Sequence, residues 1–213
     1  MIFSHRRTGR PPLISGPSPI SANDQRKLAA VMFTDMVGIS ALSQRNEALA
    51  LELLEEHRVM VREIVPRHGG REIKTTGDGF WLEFPRALAA VQAAVEIQKA
   101  FHGRNLAEAS ARQIQIRIGI HVGDVVQRDG DIHGDGVNLA ARLEPLAPPG
   151  GVCVSNAVYD QVRNKVGESF VNLGPAELKN ILLPVQVYRV LFPKLRKTLE
   201  LDPGNALAHF QLA

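Results

Sequence analysis

Two hundred and thirteen residues make about one domain, or one and a fragment, at the usual size of roughly 100–200 residues each. Hydrophobic residues at 45% and charged residues at 22% exclude a wholly disordered chain, a collagen repeat and a disulfide-built miniprotein, and no apolar run approaches the ~18 residues of a membrane span. The pI of 9.2 suggests a nucleic-acid binder only until the charge is located: residues 1–27 hold Arg6, Arg7, Arg10, Arg26 and Lys27 against Asp24, so the near-neutral remainder has no basic face and no nucleic-acid partner is expected.

Residues 1–26 read as a leader. Pro11, Pro12, Pro17 and Pro19 with Gly9 and Gly16 leave little to pack, and they would break the amphipathic helix of a transit peptide. From Leu28 the pattern becomes regular. Leu28–Thr34 is a short apolar run of the buried-strand kind. Ser40 to about His68 places Leu42, Leu49, Leu53, Leu54, Val61 and Ile64 near one helical face, and Pro66 with Gly69-Gly70 ends it. Arg71–Thr75 and Phe80–Phe84 alternate as strands around the turn Thr76-Gly77-Asp78-Gly79.

Ala87–Phe101 is alanine-rich and helical. Ile114–Val122 alternates cleanly, and Gly123 suggests a turn into a second strand over Asp124–Arg128. Val137–Leu146 is a short helix closed by Pro148-Pro149-Gly150. Val152–Val154, a helix from about Asn156, and strands near Ser169–Leu173 and Val185–Leu191 complete the body. Strands alternating with helices, and hairpins demanding antiparallel pairs, predict an α+β fold with helices on one face of a mixed sheet. The tail over 193–213 is different: LELDPGNALAHFQLA has the texture of a tetratricopeptide-repeat junction. It is too short to stack as an array, so a truncated chain is the favoured reading. A protein partner would then dock through the missing repeats. The single cysteine, Cys153, lies in an apolar run and reads as a core residue, and it fits a reducing, cytoplasmic location.

Three clusters carry chemistry. In Phe33-Thr34-Asp35-Met36-Val37-Gly38 an apolar strand stops at an aspartate beside a helix start, a place for a metal-bound polyphosphate or simply for a helix cap. Lys74-Thr75-Thr76-Gly77-Asp78-Gly79 sets Asp78 at a hairpin tip. Such a turn is usually only a turn, but two aspartates at adjacent strand ends could clamp two Mg²⁺ ions. Asp131 to Arg142 opens a helix with Gly134-Asp135-Gly136 and places Asn138 and Arg142 four residues apart on one face, an amide and a guanidinium suited to a ribose and a phosphate.

With these motifs in this order, the chain from about Arg26 to Phe192 resembles the catalytic domain of class III nucleotidyl cyclases, the adenylyl and guanylyl cyclases. The resemblance implies a ferredoxin-like α+β fold with a mixed, mostly antiparallel sheet over residues 27–192. It implies that Asp35 and Asp78 bind two Mg²⁺ or Mn²⁺ ions per site, with Met36, Val37 and Gly38 beside the substrate phosphates. Lys74 and Asp131 match the pair that reads adenine, where guanylyl cyclases typically place glutamate and cysteine. Asn138 matches the asparagine that orients the ribose and Arg142 the arginine that stabilises the transition state. Lys179 corresponds, by a looser local match, to a lysine on the triphosphate. The implied reaction is ATP to 3′,5′-cyclic AMP and pyrophosphate. Because the family splits these residues between two domains, the resemblance implies a head-to-tail homodimer with two shared sites and an inert monomer. A guanylate cyclase and a non-catalytic nucleotide-binding signalling module are the alternatives. His121 and His133 receive no role, and Trp81 is expected to pack rather than to stack on a base.

Overall fold

The computed structural model describes residues 25–128, 131–179, 181 and 183–192. Residues 1–24 of the expected leader and the repeat-like tail over 193–213 lie outside the described residues. Eight strands form one sheet in the order β2-β3-β1-β4-β6-β8-β7, with β5 paired to β4 off that path. The strands are β1 Gln25–Met36, β2 Arg71–Thr75, β3 Phe80–Phe84, β4 Ile116–Arg128, β5 Asp131–His133, β6 Val152–Ser155, β7 Ser169–Ala176 and β8 Val185–Leu191. Only β4 and β6 run parallel; every other pairing is antiparallel. The mixed, mostly antiparallel α+β sheet is the expected one.

Helices α1 Ile39–Arg45, α2 Glu47–Ile64, α3 Ala87–Asn105, α4 Asp135–Leu143 and α5 Asn156–Val162 connect the strands. Alternation along β1 shows how the two faces are divided. Ala30 and Met32 join the large core under α2, α3 and α5, with Phe80, Phe84, Val91, Ile97, Ile118, Ile120 and Val158. Ala29 and Val31 point the other way, to a smaller core with Trp81, Val125, Ile132 and α4's Val137 and Ala140. So the helices do not all lie on one face: α4 alone seals the second. Its apolar residues at i, i+3 and i+6 (Val137, Ala140, Leu143) give it a single inward stripe.

Two local expectations are corrected. The long helix read from Ser40 to His68 breaks at Asn46, whose backbone is non-helical and whose side chain accepts from the Leu49 amide to cap α2. Gly123 makes no turn but lies inside β4. A Cβ there would meet the His121 ring at 2.9 Å and the Gly136 Cα at 3.5 Å, so the glycine serves the close approach of α4's first turn. Cys153 is fully buried and burial pushes its thiol up to about 12, as suits a core residue.

Candidate active site

The two motif aspartates are brought together by contacts at their neighbours. Thr34, just before Asp35 on β1, accepts a buried hydrogen bond of 2.9 Å at its hydroxyl from the Phe80 amide. Gly79, just after Asp78, lies so close to β1 that a Cβ would fall 1.8 Å from the Thr34 carbonyl oxygen. The turn itself is closed by Thr76 N–H donating to the Gly79 carbonyl at 2.9 Å, with Gly77 at φ +78°. On its outer side, Arg58 of α2 donates to the Gly77 carbonyl at 3.2 Å. Asp78 is thereby seated against the end of β1, and the electrostatics register it: burial raises the Asp35 carboxyl above its ordinary range, Asp78 raises it further, and Arg117, opposite Asp35 on β4, pulls it back.

A third carboxylate faces this pair, and sequence reasoning missed it. Glu144 follows α4, and its carboxyl is pushed up to about 7 by burial, then by Asp35 and Asp78, against Arg117. Its Oε1 is buried without a hydrogen-bond partner among the described residues. Glu144 stands two places after Arg142, the last residue of the recognisable motif, and nothing local marks it; its partners come from β1, the β2–β3 turn and β4.

A carboxylate cluster of this kind, only partly offset by Arg117, fits divalent cations. The ligands are hard oxygens, and Mg²⁺ characteristically takes one or two carboxylates and fills its other positions with phosphate oxygens and water. No group of three or more His, Cys, Asp or Glu side chains among the described residues is arranged to hold a metal ion unaided.

Lys74 and Asp131 meet although 57 residues separate them. Lys74 Nζ donates to Asp131 Oδ2 at 2.8 Å, and this bond draws the Asp131 carboxyl below its ordinary value. Both ends are partly exposed, so the pair is worth no more than about 1 kcal/mol and a ligand can take over either group. Asn138 and Arg142 lie on the exposed side of α4 while Gly136, Val137, Ala140 and Leu143 face the body. They point away from the sheet of their own chain.

The remaining predicted residues are less closely placed. The Met36 side chain is buried in the core, so only its backbone could meet a ligand. The Val37 amide is already engaged, donating to the Gln115 carbonyl at 2.8 Å, whereas Gly38 is exposed. Lys179 is exposed between β7 and β8. His121 is held by Ser155 at 2.8 Å, and burial lowers it to about 4, so it is a neutral structural residue.

The architecture defines a class before any family: its solved counterparts are nucleotidyl cyclase domains. The adenylate/guanylate cyclase/hydrolase of Silicibacter pomeroyi superposes with a TM-score of 0.76 at 41% identity, covering 80% of this chain and 99% of that one. Residues 22–191 match the family model described as the adenylate and guanylate cyclase catalytic domain. This chain belongs to that family, the class III nucleotidyl cyclases. Among its relatives, a Rhizobium meliloti (strain 1021) protein named provisionally as adenylate cyclase 3 is 39% identical over 77% of this chain, and the Streptomyces coelicolor adenylate cyclase is 33% identical over 67%. The matched region spans only 28% and 37% of those two proteins. No helix among the described residues is long and apolar enough to cross a membrane.

Proposed function

We propose that this chain converts ATP to 3′,5′-cyclic AMP and pyrophosphate, at two equivalent sites shared between two copies arranged head to tail. The observation that carries the reading is the Lys74–Asp131 pair: an ammonium donor and a carboxylate acceptor side by side, 2.8 Å apart. Adenine offers the matching edge, a ring nitrogen that accepts and an exocyclic amine that donates; guanine reverses that pattern. The relatives named as adenylate cyclases support the same choice.

The other residues then take roles their positions suit. Asp35 and Asp78 would hold Mg²⁺ or Mn²⁺, and bound cations neutralise the polyphosphate and acidify the attacking 3′-hydroxyl. Gly38 and the neighbouring backbone would line the phosphates, and Lys179 would reach their distal end. Asn138 would hold the ribose, and the planar guanidinium of Arg142 would meet charge developing on the α-phosphate, a role worth roughly 3 kcal/mol or more. None of these side chains is needed as a nucleophile, because the substrate supplies its own. What the protein contributes is the curled shape of one bound molecule.

Arg142 and Asn138 project outward from α4, on the side that is not packed against their own chain. A two-fold-related copy would lay that surface against the other chain's aspartates and complete both sites at once. The test is cyclic-nucleotide formation from ATP and from GTP, with Mg²⁺ and with Mn²⁺. Cyclic AMP is expected as the main product. Lys74→Ala should lower kcat/KM for ATP by about 10–100-fold, the cost of one charged hydrogen bond to the base. A protein that turns over neither nucleotide, or prefers GTP, would refute the reading.

A further inference from the structure

The sole tryptophan of the chain, Trp81, lies beneath the Lys74–Asp131 pair. Its indole is 6% exposed and stacked on Phe33, with centroids 5.5 Å apart and planes inclined by 21°. Lys74 Nζ stands over the ring, 4.4 Å from the indole centroid. This is cation–π distance. The contact is built by a register shift in β2: Glu72 pairs with Leu82 but Lys74 pairs with Trp81, which leaves Ile73 as an extra residue. Plain alternation would send Ile73 and Lys74 to opposite faces. With the bulge, Ile73 packs into the Trp81 cluster and Lys74 still lies over the ring.

The same cluster anchors the other candidate substrate contacts. Ile132, next to Asp131, is fully buried in it, and Val137, next to Asn138, is buried there too, with 8% of its surface exposed. Three chain segments thus enter one apolar cluster with the indole, each carrying an adjacent polar residue: Lys74 beside Ile73, Asp131 beside Ile132 and Asn138 beside Val137. Space-filling alone does not account for a tryptophan here. Its Nε1–H is buried without an acceptor among the described residues, a cost that leucine or methionine would not carry.

We propose that Trp81 is the positioning residue of the base pocket: its ring face fixes the Lys74 ammonium beside Asp131 and so sets affinity for, and choice of, the purine. The inference rests on the reading that Lys74 and Asp131 recognise adenine, and goes beyond it by assigning the residue that holds them in place. The ring restricts a long, flexible lysine to one arrangement before the nucleotide arrives, which is where binding is gained.

The experiment uses the full chain and the variants Trp81→Leu and Trp81→Phe, with thermal melting as a check on folding. Trp81→Leu should raise KM for ATP about fivefold and narrow the preference for ATP over GTP, with kcat changed less than about twofold; Trp81→Phe, which keeps a ring face, should recover most of the loss. In the wild type, a non-hydrolysable ATP analogue should change the emission of the single tryptophan saturably, and a GTP analogue should do so only at much higher concentration. A leucine variant with wild-type KM and base preference, one that loses kcat alone, or an indole emission indifferent to saturating analogue would overturn the proposal while leaving the cyclase reading intact. If equilibrium dialysis shows no nucleotide bound to the wild type, the cyclase reading falls and this inference with it. Should the leucine variant not fold, the wild-type emission titration decides.

Discussion

Glu144 shows how much of the site depends on residues that no motif marks. Its carboxyl stands near 7, against an ordinary 4.5, because it is buried beside Asp35 and Asp78. Between those two values the folded chain holds a proton that the unfolded chain has released, so this group's contribution to stability falls as pH rises from about 4.5 to about 7. In metal-free buffer, Glu144→Gln should therefore raise the thermal midpoint at pH 8 relative to wild type and leave it nearly unchanged at pH 4.5. Parallel melts at the two pH values check this, and an equal effect at both would show that the carboxyl does not titrate as described. The residues legible in the sequence were those with a chemical reason to stand in a recognisable order: Asp35, Lys74, Asp78, Asp131, Asn138 and Arg142. Glu144 and Arg117 could not be read that way, since their meaning comes from strands that only the fold brings together.

Among the elements, the β2–β3 hairpin was the most legible and is the most consequential. Its two strands and its glycine-flanked turn fall where the sequence places them, because strand propensity and turn chemistry are local, whereas the register shift at Ile73 and the burial of every β3 residue are not. What could not be read locally is the seat of that turn on β1. Thr34→Val keeps the shape but leaves the buried Phe80 amide without its acceptor, so a loss of about 1–3 kcal/mol in unfolding free energy is expected. Denaturant melts measure it. If the hairpin tip depends on this seat, the metal concentration for half-maximal activity should rise as well; a variant as stable as wild type would contradict the role given to Thr34. The two misread elements have similar origins. Asn46 looked like one more polar residue on a helix and is instead a cap, and Gly123 looked like a turn and is instead a gap left for α4. In both cases a residue that permits several local structures was decided by a neighbour outside its own segment.

At the scale of the molecule, one face of the sheet is given to the large core and the other to α4 and the candidate site. The sequence marked a short helix with Asn138 and Arg142 on one face, but not the side of the sheet it would cover, because Val137, Ala140 and Leu143 are equally suited to either side. That choice decides the function proposed here. It leaves Asn138 and Arg142 directed outward while Asp35, Asp78 and Glu144 stay with the sheet, and on the proposed reading one chain would supply two halves of different sites. The most direct test is complementation. Asp35→Ala and Arg142→Ala are purified separately, each is assayed alone with ATP, and the two are then mixed under conditions in which a sizing column shows dimers that exchange. Each variant alone should be nearly inactive. The mixture should regain up to about a quarter of the wild-type rate, because half of randomly paired dimers are mixed and each of those keeps one intact site. A mixture that stays at the level of the single variants, with exchange demonstrated, would contradict the shared sites and with them the account of how this chain makes its product.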